Sequence, residues 1–154
     1  MDILDLLMPE AVKTVSTVSS KKMLLHSMAD LASHAYSLDS ASTLAALQER
    51  ETLGTTGVGQ GVALPHARID GVDVVKGMFI RLETPIDFSA VDRKPVDLFF
   101  SLLAPENAGV AHLKALALIS RTMREARTCE KLRANDDPET LFAILTEAKR
   151  QNAA

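Results

Sequence analysis

The sequence predicts an α/β domain: one sheet with helices on both of its faces. Three observations carry this. Helical periodicity is concentrated in the first and last thirds of the chain, strand signals occupy the middle, and Val96–Leu103 (VDLFFSLL) is an almost unbroken apolar run. A run of that kind reads as a central strand covered on both sides. Helices, then strands, then helices imply a sheet sandwiched between helical layers. At 154 residues and 47% hydrophobic content, the chain has enough apolar material for the core of one domain spanning residues 1–154.

The elements follow in chain order. Residues 3–7 read as a short helix ended by Pro9, and Lys13–Val18 as a strand. Ser19 or Ser20 is placed to cap a helix in which Leu24, Met28, Leu31 and Ala35 recur at helical spacing. Asp39 or Ser40 caps a second, carrying Leu44 and Leu47 and stopped near Gly54. Val62–Leu64 is a short apolar strand. Met78, Ile80 and Leu82 alternate with Phe79, Arg81 and Glu83 as in a half-exposed strand. Val110–Met123 is apolar on most sides, which predicts a buried helix. A short helix follows over Thr128–Ala134. Asp137 caps the last one, with Pro138 at its first position, Glu139 in its first turn and an apolar stripe of Leu141, Ile144, Leu145 and Ala148. Lys149 and Arg150 sit where the dipole of that helix favours cations.

Composition excludes several function classes. A net charge of −3 argues against non-specific nucleic-acid binding, which needs a basic face. Trp is absent and aromatics are 4% of residues, so base stacking is not the main activity. The acidic start, MDILDLLMPE, lacks the basic residues and apolar stretch of a signal peptide. No run reaches transmembrane length. One cysteine, Cys129, cannot form an internal disulfide. These features together predict a cytoplasmic location without membrane insertion.

The chemistry concentrates between Gly54 and Arg68. Four of the seven glycines, Gly54, Gly57, Gly59 and Gly61, fall within eight residues, followed by Ala63-Leu64-Pro65-His66. Glycines at this density let backbone N–H groups crowd around a small anion, so Gly57, Gly59 and Gly61 are candidates for a phosphate-binding loop. A plain surface loop of turns is the alternative reading. No Gly-Lys-Ser/Thr follows, and the spacing is not GxGxxG, which disfavours ATP and NAD. Pro65 pushes Leu64 toward an extended conformation, leaving His66 at a strand end. A histidine bonded to a backbone carbonyl in a tight turn is the commoner arrangement for this residue type, but the glycines upstream favour function.

The other histidines are weighed in the same way. His26 reads as a solvated helix residue and His34 as structural. No carboxylate or cysteine stands at ligand spacing from either, so no metal site is expected and no cofactor is required. His112 opens the third long helix. It is either a hydrogen-bonded core residue or a group beside an anion at a helix N-terminus. Arg50 belongs to the charged run Gln48-Glu49-Arg50-Glu51. It either forms local ion pairs or folds over the glycine loop, where its fork matches phosphate oxygens.

Arg50-Glu51-Thr52, the glycine loop and ALPH together resemble the fructose/mannitol-type IIA domains of the bacterial phosphoenolpyruvate:sugar phosphotransferase system, above all its nitrogen-regulatory members. The likeness begins with LLMPEAV at Leu6–Val12 and runs through RETLGTTGVGQGVALPHAR. It resumes with VDLFFSLLAPENAGVAHLKALALI and extends into CEKLRA. The resemblance implies a mixed central sheet flanked by helices, and a phosphoryl-accepting histidine that falls on His66, attacking through Nε2. A supporting arginine and a second histidine fall on Arg50 and His112. It also implies an HPr-like phosphocarrier as donor, and regulatory targets such as sensor kinases, potassium-transport proteins or metabolic enzymes. Ala67 stands where related chains often carry glycine, and Gln60 where many carry asparagine. Two alternatives remain open. One is a sugar-specific IIA component passing phosphate to a IIB protein, disfavoured because no IIB domain follows. The other is a binding module whose His66 is never modified.

Overall fold

A computed structural model describes the backbone of residues 1–153 and the side chains of residues 1–147. The chain opens with a helical turn, α1 (Ile3–Leu6), and a 3-10 turn at Pro9–Ala11, then enters β1 (Val12–Val15). Helices α2 (Lys21–Tyr36) and α3 (Ser40–Thr52) precede four strands in quick succession: β2 (Gly57–Gly59), β3 (Val62–Ala63), β4 (His66–Ile69) and β5 (Lys76–Ile86). The last strand is β6 (Val96–Pro105), and α4 (Val110–Arg124), α5 (Ala126–Arg133) and α6 (Pro138–Ala153) close the domain. Three helices start where the sequence places a cap. Ser20 Oγ accepts from the Met23 N–H, Asp39 from the Ser42 N–H and Asp137 from the Thr140 N–H.

The sheet is mixed, in the order β1-β5-β6-β3-β2, with β4 also paired to β6 beyond the end of β3. β5 runs antiparallel to β6, while β1–β5, β3–β6 and β4–β6 are parallel. Register divides the side chains between two faces. Phe79 lies opposite Phe100 and Arg81 opposite Leu98 on one face. On that side Arg81 Nη2 donates to the Arg133 carbonyl at the end of α5. Phe99 lies on the other face, edge-on to Phe88, and Lys21 of α2 sits over the Phe88 ring. Helices α2 and α3 thus cover one face and α4, α5 and α6 the other, as expected for a chain with helices at both ends of its sequence.

Four expectations need correction. The strand around Met78–Leu82 is not half-exposed: Phe79 and Ile80 are both fully buried, because β5 lies between β1 and β6 with helices on either side. Helix α4 is not buried all round. His112, Ala115, Leu118 and Ile119 face inward, while Val110 and Leu113 are exposed on the solvent side of this outer layer. β1 begins one residue earlier and ends three earlier than the apolar signal suggests, and His26 is half-buried rather than solvated. β2 and β4 carry no strand signal in the sequence; their pairing comes from β3 and β6. Leu141 and Leu145 of the final stripe are buried, whereas the side chains of Ala148, Lys149 and Arg150 lie outside the described residues.

Candidate functional site

His66 is the first residue of β4, level with Leu102 on β6. The chain is pinned on the way in, because the Pro65 carbonyl accepts from the Leu102 N–H. The imidazole then folds back on its own turn, with Nδ1 2.8 Å from the Leu64 carbonyl oxygen. A carbonyl can only accept, so Nδ1 carries the proton and Nε2 keeps its lone pair. Burial lowers the His66 pKa from 6.5, and the neighbouring Arg50 charge acts in the same direction. The bond to Leu64 and the Glu51 charge oppose that shift without reversing it. His66 is therefore a neutral imidazole with a free ring nitrogen at neutral pH, which is a nucleophile.

His112, in the first turn of α4, comes from the far side of the sequence to meet it. The two ring centroids are 5.5 Å apart and nearly perpendicular. His112 is buried, and its Nε2 has no hydrogen-bond partner among the described residues. A buried polar atom left bare costs free energy, and here it belongs to the ring packed edge-on against His66. Burial is the main cause holding the His112 pKa below 6.5, with the charges of His66 and Arg68 adding to it. Arg68 stands two residues beyond His66 on the same strand, exposed. The sequence reading passed over it, although period-2 alternation from His66 was the available signal.

Arg50 reaches the same neighbourhood from the last turn of α3. Its Nη1 donates to the Gly54 carbonyl at 2.8 Å, which closes the helix end and still leaves other guanidinium N–H groups. Arg50 thus bonds its own helix end and not the tip of the glycine loop. Sequence reasoning missed the next residue, Glu51. Its carboxylate accepts from both the N–H and the hydroxyl of Thr56, and Lys21 Nζ lies 2.8 Å away. The Arg50-Glu51-Thr52 string held the signal, but a charged run at a helix end reads as solvated until the fold buries it.

The glycines sit elsewhere than their proximity in sequence suggests. Gly59, Gln60 and Gly61 form the tip of the β2–β3 hairpin, and the Gly61 carbonyl accepts from the N–H groups of Asp97 and Leu98. His66 is level with Leu102, so the tip lies about 15 Å away along β6 at ~3.3 Å per residue. The Gln60 N–H is taken by Asp92 and the Gly57 N–H by Thr55. A Cβ on Gly57 would come within 2.8 Å of Ala90, and one on Gly61 would run into the Arg133 guanidinium. The structure therefore does not bring Gly59 and Gly61 beside the histidines. Close packing and tight turns account for these glycines, including Gly57.

A concavity of about 510 Å³ opens between this hairpin and helices α4 and α5, lined by Val58, Val62, Leu64, Met123, Cys129 and Arg133 among others. His66 and His112 lie outside it. His66 is half-buried and, unlike Leu64, does not line that concavity, which suits reaction with a group presented by another macromolecule better than capture of a small one. No group of three or more His, Cys, Asp or Glu side chains converges as a metal site among the described residues, and no helix there is long and apolar enough to cross a membrane.

Residues 5–148 match the family described as the phosphoenolpyruvate-dependent sugar phosphotransferase system, EIIA 2. The chain belongs to that family. Within it, the chain is 44% identical over 145 residues to a nitrogen regulatory protein of Bradyrhizobium diazoefficiens, covering 94% of this chain and 95% of the relative. The crystal structure of nitrogen regulatory protein IIA-Ntr from Neisseria meningitidis superposes with a TM-score of 0.85 at 40% identity, covering 94% of this chain and 99% of that one. IIA mannitol from Escherichia coli shares the fold, with a TM-score of 0.76 at 16% identity over 90% of this chain and 97% of the other. The mixed sheet with helices on both faces is thus the family's fold, and this EIIA domain groups with nitrogen-regulatory relatives.

Proposed function

We propose that His66 Nε2 accepts a phosphoryl group from the phosphohistidine of an HPr-like carrier, and that the modified state decides which regulatory target docks. The observation that carries this reading is the bond from His66 Nδ1–H to the Leu64 carbonyl, which leaves Nε2 as the free nucleophilic atom. In the transfer, the donor's N–P bond breaks as the Nε2–P bond forms. The leaving ring nitrogen keeps the bonding pair, and the proton stays on Nδ1, hydrogen-bonded to the Leu64 carbonyl. Charge on the equatorial oxygens of the transferring group is met by the Arg50 guanidinium, and by His112 when its Nε2 carries the ring proton and donates. The donor is already an activated phosphoramidate, so this route calls for no metal.

Regulation follows from charge placement. Phosphorylation sets close to two negative charges on the half-buried His66 ring. A partner seated over His66 in the unmodified protein loses that fit when a dianion must be desolvated beneath it. Sensor kinases, potassium-transport proteins and metabolic enzymes are the target classes, in the cytoplasm where the carrier resides. The test is a reconstituted carrier chain followed by intact mass under alkaline conditions. Wild type gains one acid-labile phosphate and His66→Ala gains none; equal labelling of the two, or no labelling of wild type, overturns the reading. Onward transfer to a fructose- or mannitol-type IIB protein at a rate matching uptake would instead mark a sugar-specific component.

A further inference from the structure

The carbonyl that fixes the His66 tautomer is itself held by a short chain of buried bonds. Leu64, whose oxygen meets His66 Nδ1 at 2.8 Å, donates its own N–H to the Thr56 carbonyl at 2.9 Å. Thr56 is 4% exposed, and the Glu51 carboxylate takes both its N–H and its hydroxyl. Glu51 is held in turn by Lys21 from the start of α2, 2.8 Å away, and its side chain is only 6% exposed. Pro65 has no N–H to offer an anchor, so the Leu64 peptide is held on its N-terminal side by this route and on its C-terminal side by the Pro65 carbonyl bonded to the Leu102 N–H.

The energetics favour a positioning role over a stabilising one. A carboxylate taken out of water costs several kcal/mol, and its pairing with an ammonium offsets that cost without a clear surplus. An apolar pair would hold α2 against α3 at least as well. What an apolar pair cannot supply is a directional acceptor that locks the Thr56 N–H and hydroxyl at once. Outer partners of this kind set the tautomer and ring orientation of a histidine in other settings.

We propose that Lys21, Glu51 and Thr56 are positioning residues that hold the Leu64 carbonyl and thereby keep His66 in the Nδ1–H tautomer. The inference deepens the phosphoryl-transfer reading and rests on it for its consequence, but the tautomer is measured on unmodified protein. Long-range proton–nitrogen NMR of the His66 ring is compared in wild type, Thr56→Val, Thr56→Ser, Glu51→Gln and Lys21→Met, with folding checked by amide dispersion. Wild type and Thr56→Ser show only the Nδ1–H form, because serine restores the hydroxyl. Thr56→Val and Glu51→Gln admit the Nε2–H form, which blocks the attacking atom. Their saturated phosphorylation rate then falls by about 10-fold, with the carrier KM unchanged. Lys21→Met reports on the chain if the other variants fail to fold, since Lys21 is partly exposed and touches neither Thr56 nor His66 directly. A folded Thr56→Val or Lys21→Met variant that loses stability but keeps the wild-type tautomer and rate makes the chain a mere loop anchor and overturns the proposal, as does a wild type in the Nε2–H form. A shifted tautomer in a protein that takes up no phosphate leaves the proposal standing and sinks the transfer reading.

Discussion

Replacing Gly61 with alanine separates the two roles open to a glycine-rich loop. Gly61 has φ of +77°, in the left-handed region where a Cβ costs about 1–2 kcal/mol. That Cβ would also displace the Arg133 guanidinium, whose Nη2 bonds the Gln60 carbonyl and Asp97 Oδ1, each at 2.9 Å. The Arg133 side chain is 37% exposed, so screening limits the loss of this pair to about 1 kcal/mol. The sum is about 2–3 kcal/mol, or about 4–12 °C in Tm for a domain of this size. The hairpin tip lies about 15 Å from His66 along β6, so phosphate uptake per folded molecule stays at the wild-type rate. Urea denaturation gives the stability, and single-turnover phosphorylation normalised to folded protein gives the activity. If Gly61→Ala is as stable as wild type yet accepts phosphate about tenfold more slowly, a shift of about 1.4 kcal/mol in the barrier, the loop cradles phosphate and the structural assignment of its glycines fails.

Three further outcomes follow from the same geometry. Arg50→Lys keeps the charge but loses the planar fork that holds Gly54 and meets phosphoryl oxygens together, so transfer slows by about 10- to 100-fold while the fold survives; an unchanged rate removes Arg50 from the site. His66 and His112 both have folded-state pKa values lowered from 6.5, so the unfolded chain binds more protons once pH drops into that range. Their contribution to stability is complete above pH 6.5 and is lost as pH falls through the lowered folded values. Urea midpoints should fall with pH over this window and fall less in His112→Gln; equal slopes in both proteins contradict the assignment. Tyr36, the chain's one tyrosine, has its pKa pushed up to about 12, mainly by burial, and its hydroxyl donates to the Gly77 carbonyl at 2.6 Å. Its contribution is complete below pH 10 and is lost as pH rises toward 12. The tyrosinate absorbance of the native protein should therefore titrate well above 10, and a midpoint near 10 would mean an exposed phenol.

Much of this was legible because it is local. The caps at Ser20, Asp39 and Asp137, and the apolar run at Val96–Leu103, are decided by residues within a turn or two of one another. The likeness carried by Arg50, ALPH and His112 likewise needs only letters in order. The misjudged parts are those where a partner distant in sequence decides the outcome. Phe79 and Arg81 read as one face of a half-exposed strand until β1 and β6 flank β5. Leu113 reads as core until α4 takes its place in the outer layer. Glu51 reads as one more surface charge until Lys21 and Thr56 close around it.

The sequence by itself determined the family, the capped helix starts at Ser20, Asp39 and Asp137, the central strand and the identity of three reactive candidates, His66, Arg50 and His112. Periodicity, capping and motif order are properties of the chain that need no neighbours. Only the tertiary structure decided which nitrogen of His66 is free, because that depends on where the Leu64 carbonyl points. It alone also put His112 beside His66 across 45 intervening residues. And it moved the glycines from the reacting centre to a hairpin tip, since strand register, and not closeness in sequence, sets which groups meet.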